Sequence, residues 1–392
     1  MRKNESVKLC DVVKIQQSCS PITSDRVWLL NLDMVEQQTG RIIDYYYTDR
    51  TEIGNSTIQF DENNVLYSKL RPNLNKVVCP SKSGFASSEL LPLLPDKSLI
   101  TREYLTEYLR SSYFVEWAVS KTAGAKMPRL APKELLNKVI PLPPLETQKQ
   151  IAATLDKAIH SIDLCNAILE KLDLLVKARF VELFGEPIDN PMGWKIKPLK
   201  ELSLLITNGN TPKGGSENYV DSGIIFLRSQ NVWRNRIDLS DVAYIDEATN
   251  QKMRKSIVKH KDILITKTGR INTENSSLGR AALYLGEDDS ANINGHVYLV
   301  RLNDTVVPEF VVTILTGEAY RKYIRKVCVG GIDKRQINLD QVEDFPIILP
   351  PIEKQAEFAN VLNQINKTKF AVQQVLSKAE TLKKALMQEY FG

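Results

Sequence analysis

The 392-residue chain is 43% hydrophobic and 25% charged, the balance of a water-soluble protein too long for one compact core, so two domains of ordinary size are expected. No apolar run approaches the roughly 18 residues that span a bilayer, and Met1-Arg2-Lys3-Asn4-Glu5-Ser6 leads into no signal segment, so no membrane association and a cytoplasmic location are expected. The net charge of +5 is weak guidance toward nucleic acid, while five scattered cysteines with no C-x-x-C pair argue against zinc and read as free thiols in a reducing compartment.

Residues 1–141 read as a first globular segment of mixed α/β character. β-Branched and aromatic runs bounded by turn residues predict strands at Val27–Leu30, Ile42–Tyr47 and Asn64–Tyr67. Tyr45, Tyr46 and Tyr47 are read as strand core and edge rather than as base contacts. The polar run Lys69, Arg71, Asn73, Asn75 and Lys76 follows the third strand and offers no evident core role. Apolar positions three and four apart predict one helix from about Thr101 to Thr122.

Within residues 142–185, residues 145–184 read as one long helix. Pro143-Pro144 precede it, Glu146 suits the positive end of its dipole and Gly185 supplies its stop. Leu155, Ala158, Ile162, Cys165, Leu169, Leu172 and Val176 step alternately by three and four, a heptad seam that requires a partner helix.

Residues 186–348 form a second mixed segment. Strands are predicted at Ile224–Leu227, Asp262–Thr266, Arg280–Tyr284 and His296–Val300, with a helix from about Pro308 to Val327. The flexible stretch Thr207–Ser216, holding Asn210, Thr211 and Lys213, has the glycine spacing of a phosphate loop. Gly215 stands where the essential lysine belongs, so it reads as a DNA-facing loop instead. Arg228, Ser229, Gln230 and Asn231 follow a strand directly, with Arg234 beyond them. Within residues 349–392, residues 352–390 form the second long helix, with a heptad seam read at Val361, Ile365, Thr368, Val372, Val375, Ala379, Leu382 and Leu386.

The chain repeats itself. Leu142-Pro143-Pro144-Leu145-Glu146-Thr147-Gln148 returns as Leu349-Pro350-Pro351-Ile352-Glu353-Lys354-Gln355, and the match continues without a gap to Phe184-Gly185 and Phe391-Gly392. Of these 44 aligned positions, 15 are identical. Glu103, Phe114 and Gly124 recur as Glu309, Tyr320 and Gly330, so the repeat extends into the globular segments. Such a pseudo-twofold repeat favours antiparallel packing of the two seams into a stiff spacer, with a globule at each end. Two unlike heads on a rod suit the reading of two separated marks on duplex DNA, whose grooves repeat every ~34 Å.

The Leu-Pro-Pro-Leu/Ile-Glu-x-Gln repeat opening a long helix resembles the conserved regions of specificity subunits of type I restriction–modification enzymes, and the resemblance covers essentially the whole chain. Ser68–Lys76 and Gly223–Asn231 look like pieces of that family's target recognition domains. Gly124–Leu130 and Gly330–Ile337 look like its paired loops before each proline motif. The resemblance implies two target recognition domains, residues 1–141 and 186–348. Each would read half of an asymmetric bipartite site in double-stranded DNA, with the helices 142–185 and 349–392 setting the spacer. It further implies docking of two methyltransferase subunits, which would use S-adenosylmethionine, and of restriction/translocase subunits. This chain would carry no catalytic site, metal or cofactor of its own.

Arginine and lysine read guanine edges and asparagine and glutamine read adenine edges, so the polar loops above are candidate readers. Lys267, Thr268, Arg270 and Asn272 occupy the place matching Lys69. Lys126, Arg129, Lys334 and Arg335 are placed on phosphates, which position without specifying. His160, His260 and His296 show no metal or triad spacing, and no N/D-P-P-Y/F methyltransferase motif, nuclease cluster or helicase phosphate loop appears. The residues alone leave open a DNA-modifying enzyme with unrecognised catalytic groups, or a structural adaptor that binds proteins.

Overall fold

The computed structural model describes residues 5–124, 126–212, 214–271, 273, 275–331 and 334–392. The chain divides into two compact units, one of residues Met1–Ile168 with Val372–Gly392 and one of residues Leu169–Ala371. Lys213 and Asn272 of the candidate readers lie outside the described residues.

The first unit holds two four-stranded sheets. One has the order Val13–Ile15, Leu90–Pro95, Val65–Ser68, Val77–Val78 and is antiparallel throughout. The other has the order Tyr46–Asp49, Arg26–Leu30, Gly84–Ser87, Thr57–Phe60, with its two central strands parallel. The second unit repeats this topology strand for strand. Its antiparallel sheet runs Ser203–Asn208, Val297–Leu302, Ile263–Thr266, Ala281–Leu283. Its mixed sheet runs Ala243–Ile245, Ile224–Leu227, Ala291–Ile293, Ile257–Val258, again with a parallel central pair. In each unit the strand carrying the proline motif pairs with the unit's first strand, Val139–Leu142 with Glu5–Lys8 and Pro346–Leu349 with Lys195–Pro198.

The single helices expected at Thr101–Thr122 and Pro308–Val327 are each broken in two. Arg102–Arg110 and Ser112–Ser120 meet at Ser111, and Pro308–Thr316 and Glu318–Val327 meet at Gly317. At ψ 145 and 155 these residues leave the helical region. Ser111 then caps the new helix, its Oγ accepting the Phe114 N–H at 3.2 Å. The strand expected at Ile42–Tyr47 is present only from Tyr46, as Tyr46–Asp49, because Ile42 bridges back to Val35 in a tight turn.

The long helices are Leu145–Phe184 and Ile352–Phe391, each on the order of 60 Å at about 1.5 Å per residue. Gly185 ends the first at φ 73, a left-handed conformation that suits glycine. Within each unit the parts of the two helices run antiparallel. In the second, Asp173 pairs with Lys369 at 2.5 Å and Arg179 with Glu357 at 2.8 Å, so numbering rises along one helix as it falls along the other. There Phe184 packs on Phe310 and Phe358, with ring centroids 4.8 and 5.8 Å apart. The repeat-equivalent Phe391 packs on Tyr104 and Tyr108 in the first unit, in one buried cluster with Ile151 and Leu155.

The seam of the first long helix is as read from sequence, Leu155, Ala158 and Cys165 buried and Ile162, Leu169, Leu172 and Val176 half-buried. That of the second is corrected at alternate positions. Thr368, Val375 and Leu382 are exposed, and Lys369, Leu376 and Lys383 take their places. On paper Thr368 and Leu382 are the less polar choices beside Lys369 and Lys383, and Val375 and Leu376 are equally apolar. The lysines win because their methylene stems lie along the seam while their ammonium heads reach carboxylates, Lys369 at Asp173 and Lys383 near Glu107.

Candidate nucleic-acid interface

The two candidate segments of the first unit, about 55 residues apart in sequence, meet in space. The Leu130 N–H donates to Lys69 O at 2.9 Å, the Arg71 N–H donates to Pro128 O at 2.8 Å, and Leu70 and Ala123 both bridge to Arg129. The second unit builds the same junction more fully. Thr268–Gly269 and Val329–Gly330 both pair with Arg335–Gln336, and the Ile337 N–H donates to Lys267 O at 3.0 Å. Each unit thus gathers two basic loops at the end of a buried strand, Val65–Ser68 in the first and Ile263–Thr266 in the second.

Exposure differs along the first loop. Arg71 and Asn73 are exposed and Lys69 half-buried. Arg71 sits at φ 49, a left-handed conformation that costs of order 1–3 kcal/mol for such a side chain and is held by its bond to Pro128. Asn75 has a core role, contrary to the reading from sequence, and the half-buried Lys76 is tied down by the backbone. Asn75 is buried, also left-handed at φ 49, and its Nδ2 donates to Arg110 O at 2.9 Å. Lys76 Nζ donates to Leu32 O at 2.5 Å, and burial lowers its pKa against a raising effect of Asp33. Lys126 and Arg129 are exposed, and Arg129 holds Glu89 through two bonds of 3.2 and 3.3 Å.

In the second unit Arg270 and Lys334 are exposed, whereas Lys267, Thr268 and Arg335 are half-buried. Lys267 Nζ lies 5.6 Å from the Tyr298 ring centroid. The run after the strand Ile224–Leu227 is largely knotted into itself. Asn231 is buried and ties the Arg228 N–H to the carbonyls of Asp238 and Asp241, so it is a structural residue rather than an exposed reader. The Arg228 guanidinium and the Gln230 amide both bond Asp241. Ser229 is half-buried, Arg234 pairs with Glu318 at 3.1 Å, and Asn210 and Thr211 are exposed beyond the strand Ser203–Asn208.

One exposed surface was not singled out from sequence. Tyr45, Tyr46 and Tyr47 are exposed at 46, 49 and 40%, and Tyr46 and Tyr47 lie on the edge strand Tyr46–Asp49, so they are edge residues and not core. Lys82 Nζ donates to Tyr47 Oη at 2.8 Å and lies 4.4 Å from the Tyr45 ring centroid, and the bond to Tyr47 raises the lysine's pKa. The available signal was the run itself. Side chains alternate faces along a strand, so three adjacent tyrosines cannot all point inward. An exposed aromatic and cationic surface of this kind suits stacking and phosphate contact.

Among the described residues, no group of three His, Cys, Asp or Glu could hold a metal, and no helix is long and apolar enough to cross a membrane. Cys10, Cys19, Cys79, Cys165 and Cys328 are free.

The model of the type I restriction modification DNA specificity domain matches residues 1–174 and again residues 191–380. The specificity subunit of the MjaVIII type I restriction enzyme from Methanocaldococcus jannaschii is 24% identical over 349 residues, or 86% of this chain and 80% of that protein. The EcoKI specificity subunit of Escherichia coli K12 is 24% identical over 289 residues, or 70% of this chain and 60% of that protein. The fold matches the type I S subunit from M. genitalium with a TM-score of 0.63 at 13% identity, covering 99% of this chain and 96% of that one. With two copies of its domain, one in each repeated unit, this chain belongs to the type I restriction–modification DNA specificity family as a specificity subunit.

Proposed function

We propose that this chain is the non-catalytic DNA-reading subunit of a type I restriction–modification complex in the cytoplasm. Each unit takes one half of an asymmetric bipartite duplex site, and the long helices set the unread spacer. Two methyltransferase subunits, which bring S-adenosylmethionine, dock on those helices, and restriction/translocase subunits join them.

The observation that carries this reading is the doubled junction of basic loops, Lys69 with Leu130 and Lys267 with Ile337. Two related but unlike surfaces in one chain suit two unlike half-sites. Loops held by backbone bonds at strand ends present side chains without spending ordering entropy on binding. Docking is supported by apolar side chains on the helices that their own unit leaves open. Leu164, Val375 and Leu382 in the first unit, and Leu174 and Phe370 in the second, are each more than half exposed.

Methylation mapping of DNA from cells holding this chain and its methyltransferase partner tests the proposal, the expected result being one bipartite motif. Inserting about one heptad into each long helix should change the tolerated spacer and leave both half-sites intact; an unchanged spacer refutes the ruler role. Methylation by the isolated chain would favour an enzyme instead, and absence of any duplex shift with the partner present would favour a protein adaptor.

A further inference from the structure

Three arginines line a cleft of about 20 Å³ in the second unit, room for roughly one water-sized group. They come from separate segments, Arg234 from the hairpin Val232–Trp233/Arg236–Ile237, Arg280 from the edge of the antiparallel sheet and Arg321 from the helix Glu318–Val327.

The geometry is built, not incidental. Arg280 stacks on Trp233 with its Cζ 4.0 Å from the ring centroid, and its Nε and Nη2 donate to the carbonyls of Ser276 and Asn275. No ion pair or hydrogen bond among the described residues engages its Nη1, so its charge meets no carboxylate. The hairpin carrying Arg234 is pinned beside it. The Asn235 N–H donates to Ala281 O at 2.9 Å and Asn235 Oδ1 accepts from Thr316 Oγ1 at 3.1 Å. Burial above all, and then nearby Arg234 and Arg321, push the Arg280 pKa down. Glu318 already pairs with Arg234 at 3.1 Å and with Arg321 at 3.8 Å, so of these three guanidiniums that of Arg280 is the one an anion oxygen in the water-sized space would compensate. The cleft also continues the candidate interface, since Ser277 Oγ donates to Thr268 O at 2.7 Å.

We propose that the cleft of Arg280 and Arg234 seats one non-bridging oxygen of a phosphate group, supplied by the backbone of the target duplex. This rests on the DNA-reading function above. The contact positions the second unit on the duplex and carries no base information.

The test uses the full chain with its methyltransferase partner and a duplex bearing the mapped site. Affinity is followed by fluorescence anisotropy across a salt series for the wild type, Arg280→Gln, Arg280→Lys and Arg234→Gln. Each neutral variant should weaken binding and reduce the log–log salt slope by roughly 0.9, the share of one phosphate. Arg280→Lys should keep most of the slope, and discrimination against a scrambled half-site should not change. Replacing single phosphates by methylphosphonate should expose one position where the wild type loses affinity and Arg280→Gln loses no more. Wild-type slope and affinity in both neutral variants overturn the proposal. So does stabilisation of the wild type alone by millimolar inorganic phosphate without a slope change, which would make free phosphate the occupant. Should Arg280→Gln fail to fold, Arg234→Gln decides by the same readout. A wild-type complex that prefers no duplex would instead sink the DNA-reading function.

Discussion

Gln148 Oε1 accepts the backbone N–H of Thr101 at 2.8 Å, and its repeat-equivalent Gln355 accepts that of Val307 at 2.9 Å. Both glutamines are fully buried, and each Nε2 also donates at 2.8 Å to the first proline of its own motif, Pro143 or Pro350. One side chain therefore fastens the start of each long helix to the residue from which the unit's own paired helices begin. This gives a mechanical reason for the glutamine that recurs in both proline motifs.

Replacing Gln148 by leucine strands the Thr101 N–H and the carbonyls of Leu99 and Pro143 without partners. At about 1–3 kcal/mol for leaving a buried polar group unsatisfied, Gln148→Leu should cost at least about 2 kcal/mol of stability. Urea unfolding followed by circular dichroism measures it. A midpoint equal to that of the wild type would show that the joint bears no stress.

The corrected seam makes opposite forecasts for neighbouring residues. Leu376→Ala, half-buried against the partner helix, should cost about 1–2 kcal/mol, less than the ~2–5 of a fully buried leucine. Val375→Ala, 54% exposed, should leave the melting temperature alone and weaken capture of the methyltransferase subunit in a pull-down. The reverse pattern would restore the seam inferred from sequence.

Within the candidate interface, structural and reading residues separate by experiment. Asn75→Ala loses a buried bond to Arg110 O and should lower stability by about 1–3 kcal/mol without altering the methylated motif. Arg71→Ala should leave stability within about 0.5 kcal/mol and weaken or relax recognition of one half-site by about 1–3 kcal/mol. Paired thermal melts and methylation maps of the two variants check both halves of this contrast.

Stability should fail at high pH. Burial raises the pKa of Tyr67, Tyr104, Tyr108 and Tyr320, and that of Tyr298 to about 12. The folded chain therefore holds these phenolic protons more tightly than the unfolded chain does. Their contribution is fully present below the ordinary tyrosine pKa of about 10 and is lost as pH rises from there through the folded values. Tyrosinate absorbance at high pH should rise in step with loss of circular dichroism, and Tyr298→Phe should shift that transition upward. Ionisation of the buried tyrosines in a still-folded chain would contradict this.

Much of the architecture was legible because it is carried by local periodicity and by repetition. The long helices end within a residue of the expected bounds, since Pro143-Pro144 and Gly185 mark them through backbone chemistry alone. What was hidden depends on distant partners. Nothing local tells Arg26–Leu30 to lie parallel to Gly84–Ser87, because that pairing closes a loop of more than fifty residues. The breaks at Ser111 and Gly317 were missed for a related reason, as apolar spacing continues across them while a side-chain cap and packing turn the chain. In the candidate interface, residue type singled out loops that the fold brings together. It could not separate Arg71, which faces solvent, from Asn75, four residues on, whose amide holds Arg110.

Each globular unit opens and closes on adjacent strands, Glu5–Lys8 beside Val139–Leu142 and Lys195–Pro198 beside Pro346–Leu349. A module whose two chain ends leave side by side can be cut out and replaced at neighbouring points. A substitute of any internal sequence fits if it presents that same ladder of backbone bonds. Recombination within such a gene would then trade one reading head for another in a single event, and the organism would acquire a new recognition target while its modification machinery stayed as it was.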